Sequence, residues 1–538
     1  MSAPSRRRAG LLIPLFSFPS STSWGIGEIG DVAPMVTWLA AGHQHVLQLL
    51  PLNEMAPGQQ SPYSAISGMA IDPIFISLPE VPEFESLAAD GALSPADFAH
   101  LVAVRGATHV DYATVRALKQ RALTQAFDYF WNTSWRRNDG RARALQAFLS
   151  EQAWWIDDYA LFRAVHHQEG ERPWFEWPTA LRTRDQVALD QARDALARDV
   201  LFYGYLQWLA AEQWSRARCT AAAAGVALFG DLPFMVDGDS ADVWARQHQF
   251  RFDVTAGAPP DAFSETGQDW GLPVCRWDVM AADGFSWLRD RARRSAALYD
   301  GYRVDHLVGF YRTYVKPRDG GDAFFTPSEE LDQVALGETV LDVFNASGAE
   351  IIAEDLGIVP TFVRQSLARK STPGFCIMRW EREWDTDGQP FRDPGAYPVR
   401  SVAASGTHDT EPLAIWWETA TDEDRESIAA LPSVARHLLN GREPSAKAVN
   451  ADVASRPYDR QIRDALLEAL FASSSELLLL TVQDVFGWRD RINEPATVAP
   501  ENWTFRLPWP CDRLADEPEA QERRAALRAW AERHGRDA

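Results

Sequence analysis

The segment Ile351-Ile352-Ala353-Glu354-Asp355-Leu356-Gly357 runs three apolar residues straight into a carboxylate, and a glycine follows soon after. Three residues are too few for a helix, so the run reads as a buried strand that delivers Glu354 at its C-terminal end. Tyr302-Arg303-Val304-Asp305-His306 repeats the arrangement with Asp305. Outward from these two lie six more short apolar runs: Leu11–Phe16, His45–Leu50, Val226–Phe229, Phe375–Met378, Val402–Ala404 and Leu477–Thr481. Asp231, His408 with Asp409, and Gln483 with Asp484 stand near the ends of three of them. Eight buried strands with chemistry at their C-terminal ends describe an α/β fold of the (β/α)8 TIM-barrel type. A doubly wound sheet also binds ligands at strand ends, but it rarely gathers carboxylates from so many strands.

The spacing between the runs is uneven. From about residue 82 to 224 the pattern is helical and rich in Ala, Arg, Gln and Trp, as in Ala144–Val165 and Val200–Arg216. It predicts a helical insertion between strands 2 and 3. Residues 232–300 form a second long connection, with Gly, Pro and Asp at many turns, and read as a substrate-loop insertion after strand 3. Residues 411–475 look mostly helical, and 516–538 read as a surface helix rich in Glu, Arg and Ala. The expectation is one catalytic barrel domain over residues 1–538 with long helical and loop insertions.

Composition narrows the function. The 538 residues include 53 basic and 75 acidic side chains, a net charge of −22. Such a field repels phosphate backbones and anionic lipid, so neither nucleic acid nor a membrane is an expected partner. A neutral ligand does not feel it. The 22 tryptophans suit a core and also suit stacking on sugars. Cys219, Cys275, Cys376 and Cys511 are far apart in sequence. They fit neither a disulfide framework nor a zinc ribbon, and they are compatible with a reducing cytoplasm. Arg6-Arg7-Arg8 before Leu11–Phe18 superficially resembles an export signal. Pro14 and Pro19 interrupt that run and no small-residue cleavage site follows, so a buried first strand behind a basic tail is the expectation. Monomer and homodimer both remain open.

Two motifs are set aside. Gly25-Ile26-Gly27-Glu28-Ile29-Gly30 is a literal G-x-G-x-x-G, but the loop Ser17–Trp24 separates it from its strand. Glu28 would also bring negative charge to a phosphate, so the motif reads as a tight backbone turn. Asp237-Gly238-Asp239-Ser240-Ala241-Asp242 lacks the twelve-residue calcium-loop pattern, and Asp239 or Ser240 reads as a helix cap.

Three carboxylates remain. Arg303 and Asp305 are two apart in a strand and face the same way, and the cation keeps the carboxylate charged, as a nucleophile must be. Glu354, partly desolvated near other carboxylates, is suited to be an acid. Asp409, in Gly406-Thr407-His408-Asp409-Thr410, is the third. Cleavage of a glycosidic bond needs one nucleophilic and one protonated carboxyl group.

With these residues the chain resembles the amylomaltases, the 4-alpha-glucanotransferase family of the alpha-amylase clan. The likeness runs from about Leu11 to Arg506. It is carried by Trp24-Gly25-Ile26-Gly27, Ser61-Pro62-Tyr63, Gly230-Asp231-Leu232-Pro233, Gly257-Ala258-Pro259-Pro260-Asp261, and Ser264 with Gly267-Gln268-Asp269-Trp270-Gly271. Gln483-Asp484 and Arg491-Ile492-Asn493-Glu494-Pro495 complete it. The resemblance implies a retaining double displacement on alpha-1,4-glucans or maltooligosaccharides, which serve as donor and acceptor. It makes Asp305 the nucleophile, Glu354 the acid, and Asp409 the group that holds sugar hydroxyls and strains the ring. Arg303 would fix Asp305, His306 and His408 would bind hydroxyls, and Asp231 would support the same subsite. Ser61, Tyr63, Gln268, Trp270 and Asn493 match residues lining the glucan groove. No metal or cofactor is expected. The chain departs from the family pattern at Ala262, where an aromatic is common, at Thr410-Glu411-Pro412, at Ala496 and at Cys275. A glucan hydrolase of the same clan is the alternative, and a non-catalytic glucan-binding protein is another. Loops over the groove would exclude water and favour transfer.

Overall fold

The structure is a computed structural model that describes residues 7–88, 93–260, 267–384, 386–438 and 455–537. Eight parallel strands close a barrel: β1 (Arg8–Leu12), β2 (Val46–Gln48), β3 (Ala227–Leu232), β6 (Gly301–Val304), β9 (Glu350–Ala353), β10 (Gly374–Ile377), β11 (Ser401–Ala404) and β12 (Leu477–Thr481). Neighbours around the ring follow chain order, and β1 pairs with β12 from Arg8↔Leu477 to Leu12↔Thr481 to close it. The fold is the (β/α)8 barrel.

Strand bounds differ in detail from the sequence reading. The first strand is Arg8–Leu12, while Leu15–Ser17 is a 3-10 turn entered through Pro14. Proline has no N–H for a ladder, so the apolar run leaves the sheet there and stays buried as core. The third strand extends to Leu232 and so contains Asp231.

Side chains alternate across a strand, and this decides what faces the lumen. Val46, Phe229, Ile352, Phe375, Ile377, Val402, Ala404, Leu477 and Leu479 form one apolar cluster inside the barrel. Two residues beyond Phe229 comes Asp231, and two beyond Ile352 comes Glu354. On β6 the same face reads Gly301, Arg303, Asp305. The period of two therefore stacks polar groups on an apolar plug at the C-terminal end of the ring.

Between β2 and β3 lie the long helices Tyr112–Thr133, Gly140–Gln168 and Ala197–Ala223, with shorter ones around them. Asp111 and Asp139 cap two of these, each side chain accepting backbone N–H bonds from the first turn. The third grips the segment after β2: the Gln207 amide exchanges hydrogen bonds with Ile71 N and O at 2.9 and 2.8 Å. Gln213 does the same with Ser77 at 2.8 and 2.9 Å.

The connections around β6 hold strands that the turn-rich sequence hides. β4 (Phe250–Ala258), β5 (Gln268–Cys275), β7 (Thr313–Pro317) and β8 (Phe324–Thr326) form an antiparallel sheet in the order β5-β4-β7-β8. β4 pairs with β5 and with β7, so the loops after two different barrel strands meet in it. Glycines and register shifts interrupt the alternation that would otherwise announce these strands.

Gly25–Gly30 is a tight turn. A Cβ on Gly27 would lie 1.8 Å from the Leu15 carbonyl oxygen, and Glu28 is ion-paired to buried Lys119 at 2.7 Å. Ser240 caps the helix Ala241–Ala245 by accepting from Val243 N. The tail helix, Pro518–Arg533, is less superficial than its composition implies. Ala520, Leu527 and Ala531 are fully buried, and beyond it the Arg536 guanidinium donates to Arg8 O, Phe471 O, Ser473 O and Ser475 O. No helix among the described residues is long and apolar enough to cross a membrane.

Candidate active site

Register sets the geometry. Asp231 pairs with Arg303 across β3 and β6, and Val304 pairs with Ala353 across β6 and β9. Asp305 and Glu354 each stand one residue beyond that last pair, on neighbouring strands. Asp305 N still donates to Leu232 O, and Glu354 N to Val304 O, so both backbones are held by the ladder.

Arg303 is the hub. Its Nη2 donates to Asp305 Oδ1 at 2.8 Å and its Nη1 to Asp231 Oδ2 at 2.6 Å. Arg303 and Asp231 are buried, whereas the Asp305 side chain keeps 30% exposure. One carboxylate thus anchors the cation from below while the other is presented to the cleft. Tyr63 OH donates to Asp231 Oδ2 at 2.8 Å and lies 3.1 Å from His408 Nε2. Burial keeps that phenol protonated far above the ordinary range, with the Asp231 charge adding to the effect.

Glu354 accepts from His306 N at 2.7 Å and from Leu356 N at 3.1 Å. His306 itself adopts a left-handed conformation, φ 45°, at the end of the strand. Burial pushes Glu354 up to about 7; Arg303 and the two N–H donors oppose this, and the Asp305 charge reinforces it. Near neutral pH the group can hold or release a proton, as an acid that later acts as a base must. The His306 ring is packed against the edge of Trp270, centroids 4.9 Å apart, and burial lowers it to about 4, so it is neutral.

Asp409 behaves oppositely. Burial would raise it, but His408, a 2.7 Å bond from Asn493 Nδ2 and the Arg303 charge outweigh that and bring it to about 2. It is a fixed anion at the same cleft as a carboxyl group poised to be neutral. Environments that push two carboxyl groups apart mark an acid and an electrostatic partner.

The structure brings Asp305, Glu354, Asp409, Arg303, Asp231, His306, His408, Tyr63, Trp270 and Asn493 into one contact network. Gln268 joins through Trp270, whose Nε1 donates to its Oε1 at 3.0 Å. Ser61 joins through Tyr63 N, which donates to its Oγ at 3.3 Å. These two border the network without a bond to a carboxylate. Ala262 and Ser264, singled out from the sequence, lie outside the described residues.

Sequence reasoning missed Trp503. Its ring is 5.7 Å from those of both Tyr63 and His408, which stack on each other at 5.3 Å. No local pattern marks it, since it sits in an irregular loop at positive φ. Arg491, quoted only within a motif, donates to the Asp409 carbonyl at 3.1 Å.

The profile of the 4-alpha-glucanotransferase family matches residues 13–512. The chain is 32% identical over 543 residues to the 4-alpha-glucanotransferase of Thermus thermophilus, covering 98% of each. It is 31% identical over 504 residues to that of Chlamydia pneumoniae, covering 93% of this chain and 91% of the relative. Among solved structures, the amylomaltase from Streptococcus agalactiae in complex with acarbose superposes with a TM-score of 0.79 at 27% identity. The match covers 99% of this chain and 100% of that one.

Proposed function

The chain belongs to the 4-alpha-glucanotransferase family, and from that premise we propose that Asp305, Glu354 and Asp409 perform a retaining double displacement on alpha-1,4-glucans. Asp305 attacks the anomeric carbon, forming a C–O bond as the glycosidic C–O bond breaks, and Glu354 gives its proton to the departing 4-oxygen. An acceptor 4-hydroxyl then attacks the glycosyl ester, returns a proton to Glu354 and releases Asp305. The bond broken in the donor is thereby remade in the product.

One observation carries the assignment: Asp305 is ion-paired to Arg303 while its neighbour Glu354 is raised to about 7 on the adjacent strand. Asp409, anionic throughout, binds sugar hydroxyls and favours the positive charge of the oxocarbenium-like transition state. His408 and neutral His306 offer ring nitrogens to the same sugar. Asp231 and Tyr63 hold Arg303 and His408 in place beneath it. Ser61, Gln268, Trp270 and Asn493 line the way out along the glucan. The barrel and its insertions act as one catalytic unit, and the four free thiols fit work in the cytoplasm on maltodextrins.

Maltotriose tests the proposal. Transfer conserves the number of glycosidic bonds, so glucose and oligomers longer than maltotriose should appear with little gain in reducing ends. If reducing ends rise in step with substrate loss and nothing longer forms, the chain acts as a hydrolase.

A further inference from the structure

We propose that His437, Glu468 and His534 bind one divalent transition-metal ion of the zinc class, which clamps the C-terminal helix to the helices preceding β12. The three residues come from three elements: the helix Pro432–Leu438, the helix Arg460–Phe471, and the residue that ends the helix Pro518–Arg533. One donor atom from each lies within 4.8 Å of the other two.

The spacings are long for charge-assisted hydrogen bonds and leave room for an ion between the groups. His437 Nδ1 is 3.2 Å from Glu468 Oε2, and His534 Nε2 is 3.4 Å from Glu468 Oε1. A charge-assisted N–H···O bond closes to about 2.7–2.9 Å, and buried His166 does come to 2.7 Å from Glu171. At ~2.0–2.1 Å for Zn–N and ~2.0–2.2 Å for Zn–O, two ligands on a tetrahedral ion stand roughly 3.3–3.5 Å apart. Each His–Glu separation lies close to that edge length, one at each oxygen of Glu468, so one ring must shift for both to share a single ligand oxygen. The two imidazoles are nearly perpendicular with centroids 6.1 Å apart, so a small approach of the rings completes a three-ligand face.

The surroundings suit an ion. Glu468 is buried beside the two rings and supplies the one carboxylate of the set. Arg533 also donates to Glu468 Oε1, the outer contact that orients a ligating carboxylate. A cleft of about 530 Å³ reaches His437 and Glu468, with Arg456, Asp459, Arg460 and Asp464 on its walls, and gives a path in and room for a water as fourth ligand. Two imidazoles and one carboxylate favour zinc, nickel or copper; magnesium and calcium prefer all-oxygen sets. The cluster is remote from the carboxylates of the cleft. Arg536, two residues beyond His534, bonds the carbonyls of Arg8 and Ser475 at the opposite end of the barrel. The ion is thus a structural clamp with no part in glycosyl transfer.

The full chain, stripped with a chelator and dialysed, is titrated with zinc chloride by calorimetry, with magnesium chloride as control. Thermal unfolding is followed in parallel. One equivalent of zinc should bind and raise Tm, and magnesium should do neither. His437→Gln and His534→Gln should each weaken zinc by at least about tenfold and remove the Tm gain while transfer from maltotriose is unchanged. Absence of zinc binding in the parent chain overturns the proposal. So does zinc binding that survives both substitutions, which would assign the ion to another site. If His437→Gln fails to fold, His534→Gln at the helix end decides.

Discussion

On the proposed mechanism Glu354 and Asp305 answer to different probes, because one must carry a proton and the other must not. Asp305→Asn keeps the volume and removes the nucleophile; transfer from maltotriose should fall on the order of 10⁴-fold or more while far-UV circular dichroism stays that of the parent. Glu354→Gln should be comparably inactive on glucans yet still consume a glycosyl fluoride, whose leaving group needs little protonation. Equal inactivity on both donors would remove the acid role from Glu354. The parent kcat/KM should decline above about pH 7, where Glu354 loses its proton. The same elevation has a cost in stability. The folded chain holds a proton on Glu354 that the unfolded chain, with an ordinary value of 4.5, has released. Stability from this group therefore falls as pH rises from 4.5 toward about 7 and stays low above. Glu354→Gln should accordingly stabilise the protein at pH 8 by on the order of 1–2 kcal/mol. At ~1.4 kcal/mol per pKa unit, the move from 4.5 to about 7 would be worth roughly 3.5 kcal/mol in a fully dehydrated carboxyl group, and Glu354 keeps some exposure.

At the scale of elements, two junctions matter. The first is the register of β6 and β9, which sets Asp305 and Glu354 side by side. A crystal structure with an acceptor-like ligand should show their carboxyl carbons about 5–5.5 Å apart, the retaining separation; about 9 Å with an intervening water would point to inversion. The second joins the helical insertion to the connection after β3. His166, buried on the helix Gly140–Gln168, lies 2.7 Å from Glu171 Oε2 and 3.1 Å from Asp239 Oδ2. Burial disfavours its charge, but the two carboxylates outweigh that and raise it above 6.5. A raised imidazole stabilises the fold fully below its unfolded value, and the contribution disappears as pH climbs through the folded one. Tm should therefore drop across the mildly alkaline range, and His166→Gln should start lower at pH 6 and show a flatter profile. A variant profile as steep as the parent's would locate the titrating group elsewhere.

The whole molecule is closed from the end opposite the chemistry. Arg536 is fully buried and donates to four backbone carbonyls and the Ser473 hydroxyl, tying the chain's last helix to β1 and to the entry of β12. Arg536→Ala strands those acceptors and should destabilise by about 2–4 kcal/mol in urea unfolding, with kcat on maltotriose within about twofold. A large loss of kcat without loss of stability would show that the barrel ends are not independent. The sequence alone determined the barrel and the carboxylates at its strand ends, because both are local: a buried parallel strand is a short apolar run, and the candidate site residue is the next polar one along the chain. It also determined that the connection after β2 is helical, since helical periodicity accumulates over many residues. Only the tertiary structure decided that the turn-rich segments around β6 pair into a sheet carrying Trp270 to the His306 ring, because antiparallel pairing joins residues far apart in sequence. It alone brought Trp503 against Tyr63, buried Arg536 under the barrel, and shifted Glu354 and Asp409 in opposite directions. Each of these depends on burial and on which charges and donors stand a few ångströms away, quantities that arise only when distant segments of the chain meet.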